Sequence, residues 1–317
     1  MPLISADARW RFRVTGFLAC FFACCLVGGA LAQSTDEQLA LITALQSDED
    51  WTLLQRTPLQ FPVYHPQGMT RVGDDFFMSS VEVIEAPQRL ADSDYDRTTG
   101  SGTGHLFKFN SQGELLAHTT LGDGAMYHPG GMDFDGEHLW IPVAEYRPDS
   151  HSIVYQVDPD TLVATEALRF EDHLGALLRN PHDQVLYAAS WGSRYLYQIK
   201  AIGSSYQTAM VSKVEKRNSD VDYQDCQLLG PDRLLCSGIG SVEIDNTHRL
   251  TIGGIELLNT SGPLVLHKIR VNGTTSTSDF LTRNPFYFEM TPQGRGLFYF
   301  VPEDDTAALY QYGSAAQ

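Results

Sequence analysis

Short runs of alternating apolar and polar residues recur along this chain. HLFKFN (105–110), SIVYQVD (152–158), RYLYQIK (194–200), GIELLN (254–259) and ALYQYG (308–313) are rich in β-branched and aromatic residues and read as five equivalent strands. Ahead of each lies a hairpin with a shared signature. In HPGGMDFDGEHLWIPVAE (128–145) a small strand, a turn at Asp135-Gly136 and a second strand ending on a carboxylate follow one another. HPQGMTRVGDDFFMSSVE (65–82) repeats the unit from His to Glu at the same spacing. FYFEMTPQGRGLFYFVPE (286–303) repeats it with Phe286 in place of His. Looser copies begin at Asp172 and Tyr223. Such recurrence marks a radial or stacked repeat.

Each repeat holds four strands; in the second they run roughly over 130–134, 138–144, 152–158 and 162–170. The fifth stops after its third strand, and residues 53–61 at the front can supply the missing one. Completing the last unit with an N-terminal strand removes the exposed edge of an open array. The pattern therefore predicts an all-β fold, a five-bladed β-propeller of four-stranded blades. Six blades is the next reading, because the intervals after Gly68 and after Cys226 are long. A β-sandwich is third. The polar stretch EAPQRLADSDYDRTTGSGTG fills the first long interval as a loop. Its Asp92, Asp94 and Asp96 alternate as in a calcium loop but lack the Gly and Glu such a loop needs, so it reads as solvated.

Residues 1–32 stand apart. Arg9, Arg11 and Arg13 precede the apolar run LACFFACCLVGGA, and Ala30-Leu31-Ala32 forms a small-residue cleavage site, so the segment reads as a signal peptide. A retained anchor or a lipid on Cys20 or Cys24 are the alternatives. Residues 33–50 carry Leu39, Ile42 and Leu45 at helical spacing behind Thr35 and Gln38, which resemble a capping box, and predict a short helix. Residues 51–317 then form a single propeller domain. The expected location is the periplasm or the extracellular medium.

The net charge of −17 disfavours nucleic acid and anionic lipid as partners, since phosphate binding rests on Lys and Arg. After removal of the leader no segment is long enough to insert in a membrane. Cys226 and Cys236, the cysteines outside the leader, face each other across one hairpin and are expected to form a disulfide.

Candidate chemistry follows from the repeat. First strands line the axis of a propeller, so His65, His128 and His173 at their starts should converge on one face, with Glu82, Glu145 and Glu303 at second-strand ends around them. His65, His128 and His173 are candidate ligands for a divalent cation, and His128, Glu145 and Glu82 candidate acid–base groups. Arg147, Trp191, Arg194, Asp225, Tyr287, Glu289 and Glu303 are candidate ligand-binding residues. The glutamates also suit a structural role, capping turns or pairing with Arg147 and Arg194. Gly68, Gly131 and Gly175 suit close strand approach around a narrow channel. No nucleophile elbow, phosphate loop, dinucleotide fingerprint or HExxH zinc motif is present.

The motifs HPQGM, HPGGMDFDG, IPVAEYRPDSHSIVYQVDP, SWGSR, DYQDCQ, NPF and PEDD, in this order, resemble an uncharacterised family of exported propeller-like proteins known only as a domain of unknown function. The resemblance spans nearly all of the chain after the leader and implies the propeller fold; it assigns no activity and no site residues. Two functions fit the pattern. One is an enzyme, a hydrolase or lyase acting on a sugar or lactone in a His/carboxylate funnel. The other is a non-catalytic module binding a glycan, peptide or protein on the same face.

Overall fold

Each of the five repeats folds into one four-stranded antiparallel sheet, and the five sheets stand in a ring. The structure, a computed structural model, describes residues 35–314 apart from 50, 204, 246, 247 and 263. The expected leader and its cysteines lie outside the described residues. The first strand, β1 (Thr52–Pro58), waits for the last blade. Blade A holds β2 (His65–Val72), β3 (Asp75–Glu85), β4 (Ser101–Phe109) and β5 (Leu115–Leu121). Blade B has a broken inner strand, β6 (Met126–Pro129) and β7 (Asp133–Phe134), then β8 (Leu139–Glu145), β9 (Ser152–Val157) and β10 (Ala164–Phe170). Blade C holds β11 (Leu174–Arg179), β12 (Val185–Ser190), β13 (Tyr195–Ile202) and β14 (Ser205–Glu215). Blade D holds β15 (Asp222–Leu228), β16 (Arg233–Glu243), β17 (Arg249–Asn259) and β18 (Val265–Val271). Blade E is β19 (Phe286–Met290), β20 (Gly296–Phe300) and β21 (Ala308–Gly313), closed on its outer edge by β1, which pairs antiparallel with β21 from Thr52↔Gly313 to Pro58↔Ala308.

The alternation along the strands explains the ring. One set of side chains on each blade faces the blade before it and the other set faces the blade after it, so the core is divided into layers. Phe77, Leu106, Met132 and Ile141 lie between blades A and B. Trp140, Leu174, Leu186 and Ile199 lie between B and C, and Leu178, Tyr187, Tyr223 and Leu258 between C and D. Leu235, Ile255, Phe286 and Phe298 join D to E. Phe76, Phe109, Val301 and Leu309 join E back to A, which closes the circle. Both long intervals are local elaborations of existing blades: the loop 86–100 between β3 and β4, and the lengthened hairpin of β16 and β17. The expected helix covers 35–44 and packs Leu41 and Ile42 onto the layer between D and E. Residue Ser47 then bridges Arg270 on the outer strand of blade D, which shields part of that edge.

At the axis the inner strands touch. A Cβ on Gly131 would lie 2.6 Å from the Gln224 carbonyl oxygen, and one on Gly68 would lie 2.5 Å from the Met132 nitrogen, so only glycine fits at either place. Gly175 differs from the expectation: a Cβ there meets ordinary contacts, because its own carbonyl is what approaches, accepting the Gly131 amide at 2.8 Å. Cys226 and Cys236 are directly paired in the register of β15 and β16 and form a disulfide, with Cα atoms 4.1 Å apart. Among the described residues no helix is long and apolar enough to cross a membrane.

Candidate functional site

Inner strands begin, and second strands end, on the same face of the ring. Three imidazoles come together there. His128 on β6 stacks on Tyr146 with ring centres 4.1 Å apart, and its ring lies 5.9 Å from that of His173. His65 starts β2, the inner strand of the neighbouring blade, on the same face. His173 sets its ring against the edge of Trp191 at 4.7 Å, and Tyr146 lies 5.8 Å from Trp191. Trp191 opens the short 3-10 turn Trp191–Ser193 that ends the second strand of blade C.

The three rings are held in different ways. His65 donates from Nδ1 to Asp304 Oδ1 at 2.7 Å, while Arg283 donates to the other oxygen of Asp304 at 2.8 Å. Burial works against the Asp304 carboxylate, but His65 and Arg283 outweigh it and hold its pKa down at about 2. His173 donates from Nδ1 to the Glu145 carbonyl oxygen at 2.8 Å, and burial pulls its pKa down to about 4 in spite of that bond. His128 has neither support. It is 6% exposed, and neither ring nitrogen has a hydrogen-bond partner among the described residues. Burial first, then the neighbouring His173 and His65, hold its pKa well below the usual imidazole value. It is therefore neutral, with one donor and one acceptor unused.

The loop 86–100 bends back over this face. Its backbone forms a small hairpin, with Leu90 donating to Asp96 at 2.9 Å and Thr98 to Gln88 at 2.8 Å. Arg97 then lies over the Trp191 ring at 5.0 Å, Tyr95 stacks under Arg147 at 3.4 Å, and the Tyr127 hydroxyl donates to the Thr99 carbonyl at 2.6 Å. A polar insertion read from the sequence as a solvated loop thus reaches the residues around His128. The cations of the region are already paired: Arg97 with Asp96, Arg147 with Glu145, Arg194 with Asp149, and Arg283 with Asp279 and Asp304.

Several expected site residues point elsewhere. Glu82 turns to His105 at 3.4 Å, Glu145 to Arg147 and His151 at 2.6 and 3.2 Å, and Glu303 to the Tyr310 hydroxyl at 2.5 Å. All three second-strand carboxylates thus bind groups on their own blades, and the carboxylate that meets the imidazole cluster is Asp304, bound to His65. Glu289 sits toward the far end of its strand, where Arg71 at 2.6 Å and Tyr299 at 2.8 Å hold it between blades E and A. Tyr287 packs into the same layer. Asp225 is buried on the axis, and its oxygens accept the amides of Met69, Met132, Cys226 and Phe286. It serves as a strut and has no free oxygen for a ligand. Among the described residues no three His, Cys, Asp or Glu side chains are set to hold a metal ion, and the Nδ1 atoms of His65 and His173 are already engaged.

Asp304, Arg283 and Arg97 are the members the sequence reading passed over. The acidic run PEDD directly after the repeat, which places Asp304 beside Glu303, was the available signal.

Comparison with solved structures finds the fold again at low identity. A mannose phosphorylase of Leishmania mexicana, MPT-4, solved in complex with phosphate ion, matches at 13% identity over 90% of this chain and 93% of its own, with a TM-score of 0.48. A bifunctional GH43-CE protein of Bacteroides eggerthii matches at 11% identity and a TM-score of 0.50 over 81% of this chain, which spans 34% of that protein. At these identities the likeness concerns the fold alone. No curated protein matches the chain. The sequence from residue 22 to 316 matches the family of unknown function DUF6454, and the chain belongs to that family.

Proposed function

We propose that this chain is an exported propeller that binds a small, neutral, polar ligand of sugar size where His65, His128 and His173 meet. One observation carries the reading: His128 is buried with both ring nitrogens unpartnered. A buried polar group without a partner costs about 1–3 kcal/mol, and a ligand supplying one acceptor and one donor recovers that cost. The Tyr146 and Trp191 rings beside it offer apolar faces to the C–H groups of such a ligand. Because the neighbouring arginines are all ion-paired, a neutral ligand suits the cluster better than an anion.

Thermal unfolding against a panel of neutral mono- and disaccharides tests this. A sugar present at about 100 times its dissociation constant stabilises the native state by about 2.7 kcal/mol. At least one member of the panel should raise the melting temperature of the wild type. The rise should vanish in His128→Ala and in His128→Phe, which fills the space without polar atoms. A flat response throughout, or an equal rise in His128→Phe, contradicts the proposal.

A further inference from the structure

We infer that His65 and Asp304 form a general-base dyad that removes a proton from the carbon next to a carbonyl group of the bound ligand, with His128 donating a hydrogen bond to that carbonyl oxygen. The inference rests on the ligand site proposed above and adds a reaction to it. The 2.7 Å bond from His65 Nδ1 to Asp304 fixes the tautomer and leaves the lone pair on Nε2. That Nε2 has no partner among the described residues, and the side chain is 28% exposed, so a ligand can reach it. Asp304 is itself clamped by Arg283 at 2.8 Å and Asn284 at 3.2 Å. A base oriented by a carboxylate that is in turn held in place is the arrangement proton transfer requires.

The backbone around the dyad supports a role beyond a rim ion pair. Tyr64, directly before His65, has φ 55°, and Asp305, directly after Asp304, has φ 56°. Both are in the left-handed region without being glycine, and they are tied together. The Asp305 amide donates to the Tyr64 carbonyl at 2.6 Å and the Val63 amide to the Asp305 carbonyl at 3.1 Å. Such backbone gathers where the surrounding structure holds a site in place.

The choice of reaction follows from the available groups. The Ser80 and Ser150 hydroxyls donate to the Val63 and Arg147 carbonyls, whereas the imidazoles of His65 and His128 keep ring nitrogens without a partner among the described residues. A neutral imidazole can donate to a developing enolate oxygen. In the step, the C–H bond breaks and its electron pair becomes the new C=C bond. The carbonyl π pair passes to oxygen, and the proton rests on His65 Nε2. Its return to the same carbon completes the cycle without oxidant or co-reactant. The substrate class is a small hydroxy-carbonyl compound, an aldose or ketose.

Proton NMR in D2O with D-glyceraldehyde, D-erythrose, D-glucose and D-fructose reads the step directly, as loss of the signal of the hydrogen next to the carbonyl. The wild type should exchange at least one of them about 100-fold faster than buffer. His65→Gln and His65→Asn should each lose about 100-fold of that rate while unfolding as cooperatively as the wild type in the absence of sugar. Asp304→Asn, a positioning change, should lower the rate at saturating sugar by about 10-fold or more and leave the half-saturating concentration unchanged. A wild type that is stabilised by sugar but exchanges nothing above buffer overturns the dyad and leaves the binding site standing. So does an undiminished rate in both His65 variants. A wild type that neither binds nor exchanges overturns both.

Discussion

The Met69 amide donates to Asp225 Oδ2 at 2.8 Å although 156 residues separate the two. Because Met132, Cys226 and Phe286 donate to the same carboxylate, one side chain joins the inner strands of blades A, B, D and E. Removing it would leave up to four buried amides without an acceptor, each worth about 1–3 kcal/mol. Asp225→Ala should therefore cost on the order of 4 kcal/mol or more in guanidinium unfolding. A loss below about 1 kcal/mol would show that the ring closes without the strut.

Acid should weaken the protein through His128 and His173. Both have pKa values below the ordinary imidazole value, His128 well below it and His173 at about 4, with burial the main cause. Between about pH 4 and 6.5 the unfolded chain binds protons that the native state refuses, so stability rises with pH there by up to about 1.4 kcal/mol per unit for each group. Buried Asp133 works in the opposite sense. Burial raises its pKa to about 7 against the hydrogen bonds from Leu228, Phe134 and Thr70. The native state thus holds a proton that the unfolded chain has lost above pH 4, and this contribution falls as pH rises toward 7. Comparing stability from pH 4 to 7, His173→Gln should flatten the rising slope and Asp133→Asn should steepen it. Parallel curves for either variant and the wild type would contradict these assignments.

The disulfide closes a short loop across one hairpin of blade D. Its loss in a Cys226→Ser, Cys236→Ser double variant should cost about 2–3 kcal/mol, the entropy regained by a loop of that size when unfolded. Alkylation of a denatured chain beginning at Gln33 should add no label before reduction and two labels after it. Two labels without reductant would show that the thiols are free.

The loop 86–100 should control access to His128. Its grip rests on Arg97 over Trp191 and on Tyr95 against Arg147. Diethyl pyrocarbonate acylates neutral imidazoles, and its reaction with His128, followed by peptide mass spectrometry, should be slow in the wild type. In an Arg97→Ala, Tyr95→Ala variant it should speed up about 10-fold or more, since two cation–π contacts worth about 0.5–2 kcal/mol each are lost. His248, well exposed elsewhere, serves as the internal standard. Equal rates at His128 in both proteins would mean that the loop does not cover it.

The fold was legible because each blade must solve the same packing problem, and the solution recurs as a hairpin from His or Phe to Glu. The closing strand could be read for a related reason: a fifth repeat that lacks its fourth strand needs a partner, and β1 supplies it. The site was legible only in part. His128 and His173 start inner strands, so topology alone brings them together. The direction of Glu82, Glu145 and Glu303 could not be read, because Glu145 ends β8 and Glu303 lies beyond β20, where alternation no longer fixes the face, and because Glu82, inside β3, has its partner His105 on the next strand, outside the repeated hairpin. Asp304 and Arg283 lie in connections whose length and sequence differ from blade to blade, so repetition could not flag them. Asp225 resembled a ligand-binding acid because its partners are backbone amides, which leave no trace in a sequence.

The state of the His128 ring is the most direct test of the whole account. Nitrogen-15 NMR of the labelled imidazole should show a ring that is neutral at pH 7 and stays neutral as the pH falls below the ordinary imidazole range, and both ring nitrogens should shift when the panel sugar that most stabilises the protein is added. A ring that titrates near the ordinary 6.5, or ring signals unmoved by a sugar that stabilises the fold, would contradict it.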